Sequence, residues 1–223
     1  MSDISNKKDI WDRIATIATI LVPAAIALAG HFVAQGLKQA EIISEERRAE
    51  SSMKIAQANL INTMIKSLIS DKTQERKLAV EAVLIALPPN QGPNLARIVM
   101  QSDDDGNVKS AAKDSLEQRR DTLISSLFSD NPRSRTSAAK DLVHGWPNDQ
   151  EAVSKLINFA TQNKDNDNGV YNTVVVLKDF SKRALEPHKK EVQGFIEEAK
   201  KKGPKTKEQA EGLSIRLGGE PKQ

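Results

Sequence analysis

The feature that most constrains this chain is a pattern that returns along its length. From Asp71 the sequence is DKTQERKLAVEAV, from Asp104 DDGNVKSAAKDSL, from Asp130 DNPRSRTSAAKDL, and more loosely from Asn166 NDNGVYNTVVVLK. Each segment opens on an Asp- or Asn-rich turn. In the first three a basic residue follows five positions on: Arg76, Lys109 and Arg135. A small residue follows eight on in the first two (Ala79, Ala112) and nine on in the third (Ala139), and an aliphatic one twelve on (Val83, Leu116, Leu142). The fourth segment puts Tyr171 and Val174 at the basic and small positions. An acidic turn residue caps a helix N-terminus and suits the dipole there. The small residue lets two helices approach, and the aliphatic residue faces a stack. The pattern predicts helices that bury their apolar faces on one another.

These residues resemble the HEAT-repeat pattern, in which an acidic turn leads into a helix with a basic and a small residue at these offsets. The resemblance covers about residues 60–185, strongest in Asp104–Leu116 and Asp130–Leu142, with starting points 33, 26 and 36 residues apart. It implies an all-α fold, an α-solenoid or compact helical stack, in which contacts between adjacent repeats dominate stability. Proteins of this kind usually serve as scaffolds that present a surface to a partner protein.

The intervening sequence fits. Leu60, Ile61, Met64, Ile65, Leu68 and Ile69 recur at helical spacing. Pro88-Pro89-Asn90 stops the helix from Asp71, and Asn94 is expected to cap a short one after it. Gly145-Trp146-Pro147 ends another, with Trp146 expected to pack at a helix end. Val174, Val175, Val176 and Leu177 have strand propensity, but no partner strand is evident, so a buried helix is expected.

A second strong feature lies upstream. Ile14 to Leu37 contains 24 residues and no charge. As a helix it would be about 36 Å long, against a bilayer core of about 30 Å. Trp11 precedes it, where an interfacial aromatic is favoured. A transmembrane anchor is therefore expected. A cleaved signal peptide ending near Ala27-Leu28-Ala29 (residues 1–29, giving a secreted or periplasmic product) competes, though Asp3, Asp9 and Asp12 neutralise its n-region. A buried core helix is the third reading. It needs apolar surface elsewhere in the chain, and little is evident. Basic residues flank both sides nearly equally, and the weak preference is for a cytoplasmic large domain.

The expected organisation is an N-terminal tail (1–13), a transmembrane helix (14–37), a helical stalk (38–59), a HEAT-like repeat domain (60–199) and a basic, partly disordered C-terminal tail (200–223). The stalk lacks Gly and Pro, and its loose heptad allows self-association. Residues 181–223 hold 11 Lys or Arg against 7 Asp or Glu. That excess exceeds the +3 of the whole chain, so it makes this end the basic one.

Several chemistries are disfavoured. The chain has no Cys, which removes disulfide scaffolds, thiolate zinc sites and a cysteine nucleophile. His31, His144 and His188 stand apart, without metal-ligand spacing. Asp103-Asp104-Asp105-Gly106 lacks the ligand alternation of a calcium loop, and the loop start at Asp165 would need a ligand where Val176 stands. There is no phosphate-binding glycine loop or nucleophile elbow. No cofactor, metal or catalytic residue is expected, and the chain is not expected to be an enzyme.

The function expected is that of a membrane-anchored adaptor or scaffold, touching the bilayer through residues 14–37 and an unidentified protein through its repeats. Arg76, Lys109 and Arg135 either form a partner-binding ridge or serve as structural ion-pair partners for nearby turn carboxylates. The alternative is a nucleic-acid-binding repeat protein using these positions and the basic C-terminal end, which would bind with a steep salt dependence.

Overall fold

The computed structural model describes residues 44–218, and among them every regular element is helical. The helices are α1 (Ser44–Leu68), α2 (Thr73–Ala86), α3 (Gly92–Ser102), α4 (Gly106–Ser126), α5 (Pro132–Gly145), α6 (Gln150–Gln162), α7 (Asp167–Asp179), the single turn α8 (Lys182–Leu185), α9 (Lys189–Ala199) and α10 (Pro204–Arg216). A 3₁₀ turn at Glu186–His188 joins α8 to α9.

Their starts follow local chemistry. The side chains of Asp105, Asn131, Asp149, Asn166 and Ser181 each accept a backbone N–H in the first turn of α4, α5, α6, α7 and α8. These contacts satisfy donors that a helix leaves open at its N-terminus. Pro at the first turn helps α3, α5 and α10, because its missing N–H costs nothing there. Asn94 is not a cap: α3 starts two residues earlier at Gly92, and Asn94 lies inside it.

The helices form two rows. α2, α4 and α6 lie side by side, and α9 packs next to α6. α3, α5 and α7 lie side by side, and α10 packs next to α7. α2 packs on α3, α3 on α4, α4 on α5 and α6 on α7, so the rows face each other. α1 packs on α2 at one end. A continuous core runs through the interface, from Ile61 and Met64 in α1 to Leu213 and Leu217 at the far end. Leu127, Leu142, Leu156, Leu177, Phe180 and Ile196 are fully buried along it. Burial of each such side chain contributes about 2 kcal/mol relative to exposure.

The uneven spacing of the sequence pattern now has a reason. The similar segments mark the starts of α2, α4, α5 and α7. The intervals of 33 and 36 residues each span two helices and stay within one row. The interval of 26 spans α4 alone and changes rows. The pattern therefore records a way of starting a helix, used on both rows.

Two boundaries differ from expectation. α1 runs unbroken from Ser44 to Leu68, across the limit placed at residue 59 between stalk and body. The expected C-terminal tail contains α10, whose Ala210 and Leu213 are fully buried.

The membrane assignment is corrected. Among the described residues no helix is long and apolar enough to cross a membrane. The two longest show why: α1 carries Glu45, Glu46, Arg47, Arg48 and Glu50, and α4 carries Lys113, Asp114, Arg119, Arg120 and Asp121. This conflicts with a single-pass membrane protein. The segment 14–37, the N-terminal tail and the signal-peptide alternative lie outside the described residues.

Candidate functional site

The three basic residues singled out by the pattern have different surroundings. Arg76, in the first turn of α2, is largely buried. Its guanidinium donates to the Ser70 carbonyl at 2.7 Å and pairs with Asp103 at 3.0 Å and Asp105 at 3.3 Å. Arg135, near the start of α5, donates to the Ser129 carbonyl at 2.7 Å and the Asp130 carbonyl at 3.0 Å. Both arginines therefore reach back six residues to close the turn that precedes their own helix. Lys109, half-buried in α4, makes neither contact. Arg76 and Lys109 stand on one row and Arg135 on the other, so they do not line a common ridge.

Asp105 sits where these interactions meet. It caps α4, accepting the Asn107 N–H at 2.9 Å, and accepts the Thr73 hydroxyl of α2 at 2.6 Å. The Thr73 hydrogen bond first, and the Asn107 N–H next, hold its carboxyl below the usual carboxylate range. Thr73 and Arg76 thus fasten the start of α2 to the start of α4.

The same device joins α4 to α6. Arg120 of α4, only 2% exposed, donates to Asp149 at 3.3 Å and Glu151 at 2.9 Å, and pairs with Asp121 at 3.3 Å. Asp149 is the cap of α6. Burial opposes the Arg120 charge. The Glu151 hydrogen bond and the charges of Asp149 and Glu151 outweigh it and raise the guanidinium pKa. The Arg120 hydrogen bond in turn lowers that of Glu151. Lys155 extends the network, with 2.7 Å to Asp121.

Arg97 of α3 ties its row together. It donates to the Gly145 carbonyl at the end of α5 at 2.7 Å, and lies 5.8 Å from the ring centre of the buried Trp146. Burial lowers its pKa, and Asp149 partly opposes that shift. Between the rows, Arg119 of α4 pairs with Asp141 of α5 at 3.3 Å. There burial raises the Asp141 pKa against the pull of Arg119.

The sequence pattern missed Arg120, Arg97 and Asp149. One signal was present: Arg76 precedes Asp105 by 29 residues, and Arg120 precedes Asp149 by the same interval. Three lysines of the basic C-terminal end are paired with acidic neighbours. Lys200 meets Glu197 at 2.6 Å, Lys201 meets Glu198 at 2.6 Å, and Lys202 meets Asp167 at 3.2 Å. Among the described residues no group of three or more His, Asp or Glu is placed to hold a metal ion.

What remains outward on α4 and α6 is polar. Ser110, Asp114, Gln118 and Asp121 are exposed on α4, and Glu151 and Asn158 on α6. No family model matches this chain, and neither a similar curated protein nor a similar solved structure is found.

Proposed function

We propose that this chain is an α-solenoid of the HEAT-repeat kind that acts as an adaptor or scaffold, offering the outer surface of its helices to a protein partner. One observation carries the reading. Arg76, Arg97 and Arg120 point between helices, where they cap, pair and fasten neighbours. They hold the stack and leave the outer faces of α4 and α6 as a rigid polar surface. Rigid, hydrated faces of stacked helices suit protein recognition, with ordering costs met in advance.

A nucleic-acid ligand fits less well. It would need a contiguous set of free cations. Arg76 is committed to carboxylates, Arg135 to backbone carbonyls, and three lysines of the C-terminal end to acidic neighbours.

The test uses the full chain as bait in extracts of its native host. Asp114→Lys, Gln118→Lys and Asn158→Lys alter the outer faces without touching the core. The expected result is a protein retained by the wild type and lost with these variants at unchanged thermal stability. Equal recovery with wild type and variants would overturn the proposal.

A further inference from the structure

The C-terminal part of the chain holds two basic runs, and the fold treats them differently. Lys200, Lys201 and Lys202 each meet a carboxylate, of Glu197, Glu198 and Asp167. Lys182, Arg183, Lys189 and Lys190 fall within nine positions and meet none among the described residues. Lys182, Arg183 and Lys190 are exposed and Lys189 is half-buried. Neighbouring carboxylates are committed elsewhere: Glu191 to His188 Nδ1 at 3.2 Å, and Asp149 and Glu151 of α6 to Arg120. Glu186 stands exposed among the four cations, and Asp179 just before them. The frame beneath is fixed. Phe180, Ala184 and Leu185 are fully buried, the Ser181 N–H donates to the Pro147 carbonyl at 2.9 Å, and the Ser181 hydroxyl caps α8. α8 and the 3₁₀ turn pack on α6, beside the outer face that the adaptor reading uses.

We propose that Lys182, Arg183, Lys189 and Lys190 form the docking site for an acidic segment of a protein partner. The inference rests on the adaptor reading and gives that partner a chemistry: carboxylates grouped in a short stretch. Complementary charge of this kind steers encounter and fixes register. No ion pair within the chain has to be broken before the four cations bind, and the pinned turn needs no ordering. Length decides against a long polyanion. Nine residues in helical conformation span about 13 Å, which matches about four residues of extended peptide. A nucleic-acid-binding protein that makes about 6–10 phosphate contacts needs a longer run of cations. Glu186 would also repel a uniform row of phosphates, whereas a peptide can set a neutral side chain against it.

The test measures binding of a fluorescein-labelled hexaglutamate peptide to the full-length protein by fluorescence anisotropy, with hexaglutamine as the neutral control. Lys182→Glu combined with Lys190→Glu reverses two exposed charges of the site. Lys201→Glu combined with Lys207→Glu makes the same change of net charge at exposed lysines outside it. The first pair is expected to weaken hexaglutamate binding at least about 10-fold and the second less than about 2-fold, both at unchanged melting temperature. Glu186→Gln is expected to tighten binding about 2-fold. The attraction should fall as salt is raised. Absence of hexaglutamate binding by the wild type, or equal weakening by the two pairs, would overturn the proposal. So would saturation by a single-stranded oligonucleotide or by phosphatidylserine vesicles at concentrations where hexaglutamate does not bind, which would assign the cations to phosphate. These outcomes leave the adaptor reading standing. That reading falls only if the wild type and the Asp114, Gln118 and Asn158 variants retain the same proteins from extracts.

Discussion

Arg120 lies 29 residues before Asp149 and donates to it at 3.3 Å, and Asp149 is the residue that caps α6. Arg76 and Asp105 repeat this relationship at the same interval and distance, joining α2 to the cap of α4. A cap carboxylate placed this way does two jobs. It satisfies the first-turn N–H groups of its own helix and receives the cation of the preceding helix in the row. The angle at which a helix starts is thereby tied to the position of its neighbour.

Arg97 performs a related task on the other row, at the end of a helix. Arg97→Met keeps much of the apolar packing but leaves the Gly145 carbonyl without its donor and removes the cation near Trp146. A loss of about 1–2 kcal/mol in urea unfolding is expected. Arg97→Lys should recover only part of it, because a single ammonium does not reproduce the planar guanidinium contact.

Two glycines are required by close approach. A Cβ at Gly169 of α7 would lie 1.9 Å from the Phe128 ring, and one at Gly92 of α3 would lie 2.5 Å from the Val83 carbonyl oxygen. Gly169→Ala and Gly92→Ala should each cost about 1–3 kcal/mol through forced displacement. Gly194 in α9 has nothing within 4 Å of such a Cβ. Gly194→Ala should instead stabilise by about 0.5–1 kcal/mol through helix propensity. Thermal melts of the three variants, with opposite signs expected, check this.

α10 belongs to the folded body. Leu213 is fully buried, and α10 packs on α7 and α9, with Lys178 donating to Gln209 at 2.8 Å. Leu213→Ala is expected to cost about 2–5 kcal/mol and to increase hydrogen exchange in α7. An unchanged urea midpoint would mean that α10 does not stabilise the stack.

The acid response follows from three carboxylates. Asp105 and Glu151 have pKa values lowered by folding, so their stabilisation is present above the ordinary carboxylate range, near pH 4. It is lost as pH falls through their folded values. Asp141 is raised by burial, so its ionised form opposes folding and acid relieves it. Glu151→Gln should therefore flatten the loss of stability between pH 7 and pH 3, and Asp141→Asn should steepen it. Urea midpoints measured across that range test both signs.

Much of the local structure was legible in the sequence because helix starts are written in adjacent residues. Asp105 and Asn131 act on N–H groups only two residues away. The row order was not legible, because the same start motif precedes α4 on one row and α5 on the other. Arg120 was missed for a related reason. It sits in mid-helix beside Arg119, and only the folded chain brings Asp149 and Glu151 to it. The charged sequence after residue 200 concealed α10, whose Ala210 and Leu213 turn inward with Leu217 just beyond its end, while Ile215 stays exposed.

The central claim is that cap carboxylates and arginines couple successive helices of a row. A double-mutant cycle on Arg120→Met and Asp149→Asn, read by urea unfolding of the full-length protein, tests it most directly. The account predicts a favourable coupling of about 1 kcal/mol or more between the two positions, with hydrogen-exchange protection lost together in α4 and α6 in either single variant. Additive effects of the two substitutions, with exchange altered only in the helix that carries each one, would contradict it.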